Sequence, residues 1–311
     1  MKNEILGIHH ITAIAGNAQK NYDFYTRVLG LRLVKKTVNF DDPHTYHFYY
    51  GDEHGTPGSI LTFFPWEGIG TGRRGTRQVT EIGYSVPAGS LDFWQSRFEK
   101  NNIIYNKPSV KFGERYLTFL DPDGLKFELT EAKNPDNRAQ WETTEVSKEN
   151  AVHGFHHITI TTNKMEATAA ILTHVLGYRL QETEVNRSRF ITDSVEHAAI
   201  VDLVEAPGEA VGHVAGGSIH HVAFRVKDEE TLMYFRDKIV ELGLNITEKI
   251  DRNYFYSLYF REPGGVLFEL ATDNPGFTVD ESLEELGTNL KLPAQYESNR
   301  AVIEGILPKL S

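Results

Sequence analysis

The sequence predicts an α+β fold made of four copies of one strand–helix–strand–strand–strand (βαβββ) unit. Three observations carry that prediction. The dipeptide His-His opens three strand-like runs, GIHHITAI at residues 7–14, GFHHITIT at 154–161 and SIHHVAFRV at 218–226. Helical segments close on one signal, with Gly following Leu at Leu29-Gly30, Leu176-Gly177 and Leu242-Gly243. Two terminal strands match, LDPDGLKFELTE at 120–131 and REPGGVLFELATD at 261–273, each entered through a turn signal and carrying Phe-Glu-Leu.

Each element follows from its own residues. The His-His runs alternate, and a strand sends successive side chains to opposite faces, so one histidine of each pair shares a face with its i+2 neighbour. In the first unit this puts Thr12 beside His10. Tyr22, Tyr25 and Leu29 then recur at helical spacing after Asn17, and Gly30 stops the helix. In the second unit Leu91, Trp94 and Phe98 follow Ser90, whose hydroxyl is expected to cap an orphan amide. His10 and His157 are 147 positions apart and Glu128 and Glu269 are 141 apart, so the second half duplicates the first. The expected organisation is an N-terminal pair of units over 1–133, a polar linker over 134–150, a C-terminal pair over 151–275, and a tail over 276–311 that packs across the body.

Composition narrows the function. At 311 residues the chain has the length of two ordinary domains, and 40% hydrophobic with 24% charged residues suits a globular protein. There is no cysteine, which removes disulfides, thiolate metal sites and a cysteine nucleophile, and leaves histidine and carboxylate as metal ligands. A formal net charge of -11 disfavours nucleic acid and anionic membranes, so a small, largely uncharged partner is expected. The N-terminal MKNEILGIHH lacks a signal-peptide core, and no stretch approaches the roughly 20 apolar residues of a membrane span. A cytoplasmic address is the expectation.

Four βαβββ units resemble the vicinal oxygen chelate superfamily, which includes glyoxalases, extradiol dioxygenases and antibiotic-sequestering proteins. The resemblance implies curved mixed-sheet barrels or half-barrels, with a metal on the concave face held by the first and last strands of the units. Aligning the units on their flanking apolar residues puts His10, Glu81, His157 and His221 at the first-strand positions. Thr62, Glu128, Asp202 and Glu269 take the last-strand positions. If units one and four pair, the ligand set is His10, His221 and Glu269. If units three and four pair, it is His157, His221 and Glu269, with Asp202 adjoining. The remaining cavity is then vestigial or holds a second ion, drawing on His157, Glu81, Glu128 and Asp202.

A closer resemblance runs nearly end to end. LGIHHITAIAGNAQKNYDFY, HFYYGDEHGTPGSILTFFPW, GTRQVTEIGYSVPAGSLDFW, DRNYFYSLYFREPGGVLFE and PGFTVDESLEELGTNLKLP resemble the hydroquinone ring-cleaving dioxygenases. That resemblance implies a metal triad of His10, His221 and Glu269, and places Thr12, Arg252 and Tyr259 beside the substrate. It implies Fe(II), with Mn(II) or Zn(II) as alternatives, and an aromatic substrate cleaved with O2. A para-hydroquinone reaches the metal through one hydroxyl only, so the second is assigned to Tyr259, His9 or His220. The rivals are a glyoxalase-type lyase or isomerase, and a metal-free protein that binds an aromatic compound. A homo-oligomer is compatible with the chain. His44, His47, His54, His153, His174, His197 and His213 have no partner at a recognisable spacing and are read as surface or structural. GIGTGRRG at 68–75 lacks the lysine of a phosphate loop and is read as a loop near the cavity.

Overall fold

The computed structural model describes residues 3–311, and four βαβββ units follow one another along it. Unit one is β1 (Ile8–Ala15), α1 (Ala18–Asp23), β2 (Arg32–Val38), β3 (Tyr46–Gly51) and β4 (Ile60–Pro65). Unit two is β5 (Gln78–Val86), α2 (Leu91–Lys100), β6 (Ser109–Lys111), β7 (Glu114–Leu120) and β8 (Lys126–Glu131). Unit three is β9 (Gly154–Thr162), α3 (Glu166–Ala170), β10 (Arg179–Glu184), β11 (Arg187–Ile191) and β12 (Ile200–Glu205). Unit four is β13 (Ser218–Val226), α4 (Glu229–Glu241), β14 (Ile250–Asp251), β15 (Phe255–Arg261) and β16 (Leu267–Pro275).

Helix ends follow local chemistry. Asn17 caps α1 by accepting from the Lys20 amide at 2.9 Å, and Asp228 caps α4 by accepting from the Thr231 amide at 2.9 Å. The expected Ser90 cap is not made. Ser90 sits in the right-handed helical region instead of the extended conformation a cap needs, and its hydroxyl is buried without a partner. α1 and α3 each run on into a π-helical turn, Phe24–Val28 and Ile171–Val175. The glycines that follow, Gly30 and Gly177, have φ of 68° and 75°, the left-handed backbone that ends a helix cheaply only at glycine.

The two eight-stranded mixed sheets are assembled across the chain. One has the order β14-β15-β16-β13-β1-β4-β3-β2 and joins units four and one. The other, β10-β11-β12-β9-β5-β8-β7-β6, joins units three and two. The alternative pairing of units three and four is therefore overturned, because β13 lies against β1 and β9 against β5. The sheets cut across the sequence halves, since each half contributes one unit to each sheet. The segment at 71–76, from the GIGTGRRG stretch, bridges the segment at 211–216 and so links the two inter-unit connections.

Each sheet is centred on the first strands of its two units, so all eight residues of β1 are buried. Past β16 the tail covers unit one. Leu286, Leu292, Ile303 and Leu307 are buried, and the fully buried Lys35 lies 2.5 Å from both Asp280 and Glu281. A helix, α5 (Arg300–Ile306), closes the chain. No helix among the described residues is long and apolar enough to cross a membrane.

Candidate metal centre

The centre is built at the middle of the sheet that joins units one and four. β1 and β13 run antiparallel with Thr12 opposite His221 and His10 opposite Ala223, while β16 runs parallel to β13 with Glu269 beside Ala223. Alternation then brings His10, His221 and Glu269 to one face. The same register recurs in every unit, pairing Thr62 with Thr12, Glu128 with Gly83 and Asp202 with Thr159. One ligand atom from each of His10, His221 and Glu269 lies within 4.8 Å of the others. Glu269 Oε2 is 3.1 Å from His10 Nε2 and 2.8 Å from His221 Nε2, and all three side chains are buried.

The neighbouring histidines set the tautomers. His9 Nε2 lies 3.1 Å from the Thr272 carbonyl, which can only accept, so that nitrogen carries the proton. His9 Nδ1 must then accept, at 2.9 Å, from His10 Nδ1–H, and His10 Nε2 is left as a bare lone pair. The second pair repeats the contact, with His220 Nδ1 and His221 Nδ1 at 2.7 Å. His221 Nε2 and both Glu269 oxygens are buried with no hydrogen-bond partner. Burial holds His221 below its ordinary pKa, which favours the neutral imidazole. Lone pairs and a carboxylate crowded together in a dry interior are costly unless a cation lies among them, so this donor set fits a divalent metal.

Above the triad is a cavity of about 340 Å³. Its walls are mostly aromatic, with Phe40, Tyr49, Phe64, Trp66, Phe255 and Tyr259, and its polar groups include Thr12, His47, His220 and Arg252. Arg252 Nε donates to the Tyr259 hydroxyl at 3.3 Å, and Tyr259 stands edge-on to His221 with ring centres 5.5 Å apart. Burial raises the Tyr259 pKa, so the phenol keeps a proton to offer the cavity. His220 keeps an exposed edge, and partial desolvation, with His221 beside it, lowers it to about 4.

Of the residues singled out from sequence, Thr12, His220, Arg252 and Tyr259 line this cavity together with His10 and His221. His9 does not. Both of its nitrogens are engaged, by His10 and by Thr272, so it backs the centre and has nothing left for a substrate oxygen. His47, read as surface or structural, is a cavity residue. The available signal was its i+2 spacing to Tyr49 on an alternating strand.

The equivalent place in the other sheet is filled by protein. Lys111 Nζ lies 2.8 Å from Glu128 Oε2, 3.2 Å from His157 Nε2 and 3.9 Å from Asp202 Oδ2. Arg189 pairs with Asp202 at 2.8 Å, and Glu81 is bound by Lys126 and Arg187. His156 and His157 repeat the Nδ1 contact at 2.9 Å, and burial followed by Lys111 lowers His157 well below its ordinary pKa. The open question of a second ion is thereby answered: the lysine ammonium takes its place. Among the described residues the His10, His221 and Glu269 cluster is the one group arranged to hold a metal.

Fold, paired units and buried triad together define a protein of the four-unit βαβββ class with a candidate metal site. The chain belongs to the Glyoxalase/Bleomycin resistance protein/Dioxygenase superfamily, whose family model matches residues 7–129 and 154–270. It is 44% identical over 309 residues to "Putative ring-cleaving dioxygenase MhqO" of Bacillus subtilis (strain 168), covering 99% of this chain and 98% of that one. It is 36% identical over 306 residues to the chlorohydroquinone/hydroquinone 1,2-dioxygenase of Sphingobium indicum, covering 96% and 94%. A crystal structure described as a "putative dioxygenase from Bacillus subtilis" superimposes with a TM-score of 0.95 at 42% identity, covering 99% of this chain and 98% of that one. Glyoxalase I from Zea mays, with a TM-score of 0.64 at 15% identity over 86% and 92% of the chains, shares the fold.

Proposed function

We propose that this protein is an iron(II)-dependent dioxygenase that opens the ring of a para-hydroquinone and inserts both atoms of O2. The observation that carries the reading is the buried, unpartnered triad of His10, His221 and Glu269 at the floor of an aromatic-walled cavity. Two imidazoles and one carboxylate on one side of an ion leave positions open, the donor set of non-haem iron(II) oxygenases. Mn(II) accepts similar ligands, and Zn(II) binds without redox activity. His10, His221 and Glu269 would hold the iron, which would supply Lewis acidity toward a substrate hydroxyl and one-electron chemistry with O2.

The chain's own residues do the rest. Phe64, Trp66, Phe255 and Leu267 exclude water and hold the ring flat against apolar walls. Arg252 and the Tyr259 hydroxyl are donors for oxygen atoms that gain negative charge as the ring is attacked. Tyr259 and His220 are the groups with a proton free for the second hydroxyl, now that His9 is turned away. A glyoxalase-type lyase would call on four protein ligands, and Thr62 at the fourth position is instead hydrogen-bonded to Thr12 at 2.9 Å.

Protein purified without air and loaded with Fe(II) should consume one O2 per para-hydroquinone while the aromatic absorbance is lost. Isomerisation of a thiol hemithioacetal without O2 uptake would replace this reading with the lyase. Glu269→Gln should cut both bound metal and turnover by about tenfold or more, because it removes the one anionic ligand.

A further inference from the structure

We infer that His47 and Tyr49 of β3, acting through Thr62 of β4, fix Thr12 of β1 as a hydrogen-bond donor to an anionic oxygen of the aromatic ligand. The inference rests on the proposed reaction only for the identity of that ligand. The four residues form one row across three adjacent strands. Tyr49 pairs with Thr62 in the β3–β4 ladder, Thr62 with Thr12 in the β4–β1 ladder, and Thr12 with the ligand His221 beyond.

Their side chains are joined end to end. The Tyr49 hydroxyl lies 3.0 Å from His47 Nδ1, His47 Nε2 lies 2.9 Å from the Thr62 hydroxyl, and Thr62 donates to Thr12 Oγ1 at 2.9 Å. A neutral imidazole carries one proton, so the row can run in only two senses. If Thr12 started it, His47 Nδ1–H would have to donate to Tyr49. That sense would also need Thr12 to donate to Thr62, whereas Thr62 is the donor and Thr12 Oγ1 the acceptor, so Thr62 must accept from His47 Nε2–H and His47 Nδ1 from Tyr49. If Tyr49 starts it, every buried proton lands on an acceptor, and the one left over is that of Thr12, at the cavity wall. Burial favours the neutral forms of both His47 and Tyr49, as this sense requires.

Thr12 therefore joins Tyr259 and Arg252 in presenting N–H or O–H groups to the ligand. Asp41, the acidic residue of the cavity lining, lies 3.7 Å from Arg252, which offsets its charge, so the cavity selects a phenolate over a phenol. His47 is a positioning residue in this scheme. Its ring also packs on Tyr49 and Phe64, with centres 4.1 and 4.2 Å apart, so His47→Phe removes both hydrogen bonds while keeping the wall.

The test titrates 4-nitrophenol bound to the metal-loaded protein under argon, following the yellow phenolate. In the wild type the bound phenol should ionise at lower pH than the free one. His47→Phe should weaken phenolate binding about three- to tenfold, raising the bound pKa by about 0.5–1 unit. His47→Gln, whose amide can donate to Thr62 from the Nε2 position, should recover most of the loss, and Tyr49→Phe should fall between. Wild-type titration in His47→Phe, or no rescue by glutamine, overturns the relay and leaves the dioxygenase reading standing. A wild type that binds no phenolate overturns both.

Discussion

A bare imidazole nitrogen facing a carboxylate is an arrangement that only a cation, or a proton, makes comfortable, and its cause here is a histidine one residue earlier in the chain. His9 donates to the Thr272 carbonyl and accepts from His10, which strips the proton from the nitrogen of His10 that faces Glu269. The duplicated His-His pair is thus one candidate ligand and one device that fixes its tautomer. His9→Phe should preserve packing against Phe255, whose ring centre lies 5.3 Å away, while lowering metal affinity about 10–100-fold in a chelator competition. Unchanged affinity would remove His9 from this role. Repetition marked His10, His221 and Glu269 among eight candidate positions, and the resemblance to hydroquinone ring-cleaving dioxygenases singled out the three. His47 was not marked, because its part depends on Thr62 and Thr12, which other strands bring to it.

At the scale of the element, one unit has been put to two uses. β9 presents His157 as β13 presents His221, yet β6 delivers Lys111 into the second concave face. Gly83 keeps that arrangement possible, since a Cβ there would meet the His157 ring at 2.2 Å. A buried ion pair that loses one partner is expensive, because the remaining charge stays buried. Lys111→Met should destabilise the fold by about 3 kcal/mol in chemical denaturation, with Arg187 and Arg189 moderating the loss. An unchanged midpoint would show that Glu128 and Asp202 do not need the lysine. The sequence showed candidate ligands at Glu81, Glu128, His157 and Asp202, and the structure shows their cations. A lysine at the end of a three-residue strand carries no pattern to announce that it points inward.

For the molecule as a whole, burying histidines makes stability depend on pH. His9, His47, His157 and His221 are held below their ordinary pKa chiefly by burial, so below about pH 6.5 the unfolded chain takes up protons that the folded one does not. Asp121, pushed up to about 7 by burial, and Glu128, also raised by burial, act in the opposite sense but are fewer. Between pH 6.5 and 5, above the range where exposed carboxylates titrate, the metal-free protein should lose about 1.4 kcal/mol per pH unit for each net proton. Thermal midpoints falling steadily from pH 7.5 to 5 would bear this out, and a flat profile would contradict it. Four repeats, their strand alternation, the turn signals and the eight candidate ligand positions were properties of the sequence itself, because periodicity and repetition are local. Which units meet was decided only in three dimensions: sheet order joins one to four and two to three, and that choice separates the cluster arranged for a metal from the one closed by Lys111. The reason is physical. Strand pairing and the side chain that fills a buried charge cluster are set by residues far apart in the chain, and no spacing along it records them.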